Sequence, residues 1–185
     1  MNLSAASCVL VAWDRVDDYD DVTAFCRRIH PRLLGAMVLQ TGDGELAADV
    51  TQEALARTCE RWPSVRTMER PEGWVFRVAF NMVASGGRRR RSERAVRERL
   101  ESGWVEARID ADPVDLFTVR AALDALAPRQ RAVIVLRYFA DLSVADTATV
   151  LDCAQGTVKS LTSSAMSHLR DRLELDAPAA DPGHG

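Results

Sequence analysis

Between Ser143 and Leu161 the chain compresses a helix start, a forced turn and a second helix start into one short stretch. Ser143 can cap a helix N-terminus, and Asp146, three residues on, completes a capping-box-like arrangement. Leu151, Cys153, Val158 and Leu161 supply apolar contacts that pin two short helices together, and Ala148 is small where they cross. The turn falls at Asp152, where the backbone tends towards φ > 0, and Asp tolerates that conformation. Pro128 stands at the start of the preceding helix, where a missing N–H costs little. This pattern predicts a helix-turn-helix rather than any tight pair of bundle helices. Its second helix would enter the major groove by its N-terminal end. Gln155, Thr157, Lys159, Ser160 and Ser163 would then reach phosphates or base edges. Cations are scarce there, with no charged side chain between Lys159 and His168.

The rest of the chain is also patterned for helices. Val22, Phe25, Ile29, Leu33, Ala36 and Met37 recur at helical spacing and predict a helix over 16–39, which Pro31 should break or kink. "TGDGE" (41–45) is a loop by its glycines. A helix over 45–61 has Leu46, Val50, Ala54 and Leu55 as its apolar stripe. Asp49, Gln52, Glu53 and Glu60 cluster in a narrow arc on its other side. Residues 62–73 are a Pro- and Gly-marked connection, and a helix follows over 74–85, which Gly86 and Gly87 should end. Further helices are predicted over 116–126, 129–139, 143–151 and 155–173. No alternating strand pattern of useful length occurs. The expected fold is all-α: two small helical domains joined by a flexible linker, the C-terminal one containing the helix-turn-helix. The expected segments are an N-terminal extension (1–15), a first domain (16–100), a linker (101–115), a second domain (116–174) and a flexible tail (175–185).

Composition narrows the function classes. Net charge is −3, so the whole molecule is no polycation, and any nucleic-acid footprint must be local. Charge is segregated: residues 14–21 (DRVDDYDD) are acidic, and residues 88–99 (RRRRSERAVRER) are dominated by Arg. Cys8, Cys26, Cys59 and Cys153 are scattered without a C-x-x-C pair, which argues for buried free thiols and against a zinc site or a disulfide framework. "SCVLVAW" (7–13) is too short to span a membrane and lacks a preceding positive charge, so a cytoplasmic protein without membrane insertion is expected. His30, His168 and His184 are isolated, and no Gly-rich loop follows a strand. No catalytic set, metal site or cofactor is expected, and the protein is not expected to be an enzyme.

Three stretches carry a family resemblance: "LAADVTQEALARTCERW" (46–62), "RPEGWVFRVAFNMVASGGRRRR" (70–91) and "LDALAPRQRAVIVLRYFADLSVADTATVLDCAQGTVKS" (123–160). The chain resembles bacterial RNA polymerase sigma factors of the extracytoplasmic-function (ECF) type, with sigma region 2 in the first half and region 4 in the second. The resemblance implies that Asp49, Gln52 and Glu53 dock on the clamp helices of core RNA polymerase. It implies that the 74–85 helix meets the −10 promoter element, with Asn81 on a base edge and a pocket walled by the loop from Met68 to Gly73. Arg77, Arg88, Arg89, Arg90 and Arg91 would hold phosphates in a salt-dependent way. Trp74 is read as core. Region 4, through Gln155, Thr157, Lys159, Ser160 and Ser163, would meet the −35 element.

The resemblance makes core RNA polymerase and promoter DNA the partners, with an anti-sigma protein as a family expectation. The chain departs from the family pattern in four places. Phe80 stands where Arg is common, Ala154 where a Ser often caps the recognition helix, and Leu161 and Ser164 where polar or basic residues are usual. Each missing bidentate base contact forfeits about 1–3 kcal/mol of discrimination, so the −10 element is expected to dominate promoter choice. The competing reading is a diverged helix-turn-helix regulator that does not act as a sigma factor.

Overall fold

A computed structural model describes residues 16–94 and 113–176, with side chains described over 19–86 and 119–172. The 1–15 extension, most of the 101–115 linker, most of the tail and Cys8 lie outside the described residues. The helices are α1 (Val16–Thr41), α2 (Gly44–Glu60), α3 (Trp62–Val65), α4 (Pro71–Arg94), α5 (Pro113–Asp124), α6 (Pro128–Ile134), α7 (Val144–Leu151) and α8 (Gln155–Asp176). A π-helical turn over Val135–Phe139 continues α6. The fold is all-α, and no strand occurs among the described residues.

Three boundaries differ from the sequence expectation. The α1 helix runs through Pro31. Proline removes one backbone donor there, but its ring lies on the exposed face while Ile29 and Leu33 bury on the other side, so packing holds the helix on both flanks. The α4 helix begins at Pro71 and passes through Gly86 and Gly87 to Arg94. Glycine costs a helix interior about 1 kcal/mol relative to Ala, and the Arg-rich segment that follows is made of good helix formers. The α5 helix opens at Pro113, inside the expected linker.

Local chemistry sets several ends. Asp43 is the N-cap of α2: its backbone is extended and its carboxylate accepts from the Leu46 N–H at 3.0 Å. Pro128 lies in the first turn of α6, and Gln130 Oε1 accepts from the Ala127 N–H at 3.2 Å. Arg131 caps the end of α5, donating to the Leu123 and Asp124 carbonyls at 2.9 and 3.0 Å.

The two halves share one apolar core. Val22, Phe25, Ile29, Leu33, Met37, Val50, Trp62, Val75, Phe76 and Phe80 from the first half join Ala132, Val135, Leu136, Ala140, Leu142 and Val150 from the second. Trp74 packs half-buried against this core, as expected. At Gly35 the Phe139 side chain lies close against α1. A methyl group there would meet the Phe139 ring, and the absence of one lets the π-turn lie directly on α1. Arg32 reaches over the same seam, donating to the Ala140 carbonyl at 2.5 Å and to Glu72 at 3.1 Å. Arg70 pairs with Asp146 at 2.8 Å, linking the start of α4 to α7. Smaller clusters built on Leu123, Leu126, Ile134 and Ala165, and on Val133, Ala148 and Val158, complete the second half.

Candidate functional site

The helix-turn-helix forms as its residues dictate. Ser143 has an extended backbone, and its Oγ accepts from the Asp146 N–H at 3.0 Å. The same hydroxyl donates to Asp146 Oδ2 at 2.5 Å, so the carboxylate stays over the first turn of α7. Asp152 adopts the left-handed conformation (φ 49°, ψ 58°), ending α7 and redirecting the chain into α8. The Cys153 N–H then returns to the Ala148 carbonyl at 3.0 Å. Val158 is fully buried against Val133 and Ala148, with Leu151, Cys153 and Leu161 packed around them.

Gln155, Thr157, Lys159, Ser160 and Ser163 are all exposed at or near the start of α8. One of their hydroxyls is already engaged: Ser160 Oγ donates to the Thr157 carbonyl at 3.0 Å. The departures from the family pattern have structural work instead. Leu161 is half-buried in the cluster that joins the two helices. Ser164 accepts from Gln130 Nε2 at 2.9 Å, tying α8 to α6. Phe80 is buried in the shared core, 5% exposed, where a guanidinium would lack water.

In the first half, Asp49, Gln52 and Glu53 stand together on the exposed face of α2, while Ala47, Val50, Thr51, Ala54 and Thr58 bury the opposite one. Spacings of three and four residues make this one surface. Glu53 also pairs with Arg57 at 2.8 Å, a contact the sequence reading did not single out. Both partners are about half exposed, so the pair constrains the face more than it stabilises the helix.

Arg77 and Asn81 are exposed one turn apart on α4. Arg88, Arg89, Arg90 and Arg91 continue that helix, with side chains outside the described residues. Two side chains of the segment from Met68 to Gly73 make ion pairs to other helices. Arg70 faces α7, and Glu72 receives Arg32 and Arg28 from α1 at 3.1 and 3.6 Å. A cleft lies between α4 and the helix-turn-helix, with Arg77 on one wall and Thr149, Asp152 and Gln155 on the other. Two of the candidate DNA contacts, Arg77 and Gln155, therefore face the same space.

Cys26, Cys59 and Cys153, expected to be buried free thiols, are free but only half-buried, and packing of α1 on α2 brings the Cys26 and Cys59 sulfurs to 3.9 Å. Burial, then the charge of Cys59 and the hydrogen bond with it, push Cys26 up to about 12. No group of three or more His, Cys, Asp and Glu placed to hold a metal occurs among the described residues. No described helix is long and apolar enough to cross a membrane.

Residues 16–93 match the family description "Sigma-70 region 2", and residues 122–171 match "Sigma-70, region 4". The chain is similar to an RNA polymerase sigma-E factor of Streptomyces antibioticus, 36% identical over 73% of this chain and 76% of the relative. It is also similar to the ECF RNA polymerase sigma factor SigL of Mycobacterium tuberculosis, 34% identical over 84% of this chain and 86% of that one. Its fold resembles the sigma factor RpoE of Bartonella quintana, solved in complex with the anti-sigma factor NepR, with a TM-score of 0.73 and 24% identity over 84% of this chain and 98% of the other. With a region 2 match ending before a capped helix-turn-helix that lies inside a region 4 match, and with relatives aligned across both, the chain belongs to the ECF class of RNA polymerase sigma factors.

Proposed function

We propose that this sigma factor, which directs promoter recognition and transcription initiation, docks on core RNA polymerase through Asp49, Gln52 and Glu53. The observation that carries the assignment is the isolation of these side chains on one solvent-facing strip of α2, within the region 2 match and away from the shared core. Arg77 and Asn81, with the Arg88–Arg91 run beyond them, meet the −10 element. Gln155, Thr157, Lys159, Ser160 and Ser163 meet the −35 element, chiefly through phosphates, because Leu161 and Ser164 are committed to packing and to Gln130. The protein binds and positions, while the polymerase makes the bonds, so its place of work is the cytoplasm beside the DNA.

The packed arrangement also sets an order of events. Arg77 and Gln155 line one cleft, so a duplex cannot lie along both faces while the halves are closed. Promoter engagement requires them to part. A partner that clamps the closed form would inhibit, and an anti-sigma protein, of the kind bound to the Bartonella relative, suits that role here.

The test is co-purification with core polymerase. The wild-type chain forms the complex. Asp49→Lys with Glu53→Lys abolishes it while leaving helix content unchanged, since both side chains are exposed. Unimpaired binding by the double variant would remove α2 from the interface. A wild-type chain that ignores polymerase yet shifts duplex DNA would favour the stand-alone regulator.

A further inference from the structure

The Cys26–Cys59 contact joins two helices that the sequence separates by 33 positions, and the polymerase and promoter surfaces make no use of it. Cys26 lies beside Phe25, whose ring packs against Trp62 with centroids 5.0 Å apart, so α1 is anchored against the segment just after Cys59. Neither thiol has a metal-binding neighbourhood among the described residues. A disulfide needs the sulfurs about 2 Å apart, so they must approach by roughly 1.9 Å from the 3.9 Å seen. Rotation about a Cys Cα–Cβ bond moves a sulfur by more than that.

We propose that Cys26 and Cys59 form a reversible dithiol/disulfide site that staples α1 to α2, with a two-electron oxidant of the peroxide class as its reactant. One thiolate of the pair displaces hydroxide from hydrogen peroxide, which leaves as water after taking up a proton, and that cysteine becomes a sulfenic acid. The other sulfur, 3.9 Å away, then attacks it, and its proton and the departing hydroxyl leave as a second water. A dithiol reductant reverses the link by thiol–disulfide exchange. Formation of the staple does not depend on what α2 docks with, so it stands apart from the polymerase assignment.

The experiment uses the full chain carrying Cys8→Ser and Cys153→Ser, treated with hydrogen peroxide. Intact mass should fall by about 2 Da and recover with dithiothreitol, and peptide mapping should join Cys26 to Cys59. Oxidation should raise Tm by about 5–10 °C, because a closed loop of this length restricts the unfolded chain. In the same background, Cys26→Ser and Cys59→Ser should each abolish the loss of about 2 Da and the gain in Tm, because the remaining cysteine has no partner sulfur to close on. Separate sulfinic acids on the two residues, an intermolecular link, or an oxidised form with unchanged Tm would overturn the proposal.

Discussion

Asp152 shows how one side chain decides the angle between two helices. Its φ of 49° is open to Gly and tolerated by Asp, and it is unfavourable for residues whose Cβ has no short polar group to hydrogen-bond locally. Asp152→Gly should therefore keep Tm within about 2 °C of wild type, and Asp152→Ala should lower it by about 3–6 °C, from a cost of about 1–2 kcal/mol. Thermal melts of the two variants check this, and an Ala variant as stable as the Gly variant would contradict it. Arg77 poses the complementary question, since it is exposed and faces the helix-turn-helix across the cleft. On the proposed role of Arg77 as a phosphate contact, Arg77→Ala should weaken promoter binding in a gel-shift assay and reduce its salt dependence.

At the scale of elements, what was legible in the sequence was what local chemistry decides. Ser143, Ala148, Asp152, Val158 and Leu161 each do in the structure what their types and spacing predict, because a cap, a left-handed turn and a short helix crossing involve neighbours in the chain. Ser143→Ala should accordingly cost about 1 kcal/mol, read as an earlier melting of the second half. The exposed strip of α2 was legible for the same reason of periodicity, and only the Glu53–Arg57 pair on it was overlooked. Pro31, Gly86 and Gly87 misled because intrinsic propensity speaks for an isolated segment. Burial of Ile29 and Leu33 holds α1 continuous through its proline. The thiol pair was invisible for a different reason: cysteines on separate helices meet only once α1 packs on α2.

At the scale of the whole molecule, the sequence indicates two helical units and is silent on their seam. Arg70 and Asp146 are 76 positions apart, and neither Gly35 nor Phe139 announces the other. The seam combines an exposed ion pair, worth at most about 1 kcal/mol, with a shared apolar core. Weakening it at two separated points should shift the closed–open balance without unfolding either half. Arg70→Glu places like charge against Asp146, and Gly35→Ala pushes the Phe139 ring off α1. Together they should enlarge the radius of gyration in small-angle scattering and increase binding to promoter duplex. An unchanged radius with unchanged DNA binding would show that closure does not limit access. Within the open form the two DNA surfaces should contribute unequally, since Leu161 and Ser164 serve packing and the Gln130 bond rather than base edges. Substitutions in the −10 element should then reduce initiation more than substitutions in the −35 element.

The most direct test of the central claim is run-off transcription on a genomic fragment library with purified core polymerase and the full chain. The expected result is initiation at sites sharing a sequence upstream of the start, dependent on the added protein and lost with Asp49→Lys/Glu53→Lys. Initiation that the wild-type chain does not redirect, or that the α2 double variant supports equally well, would contradict it.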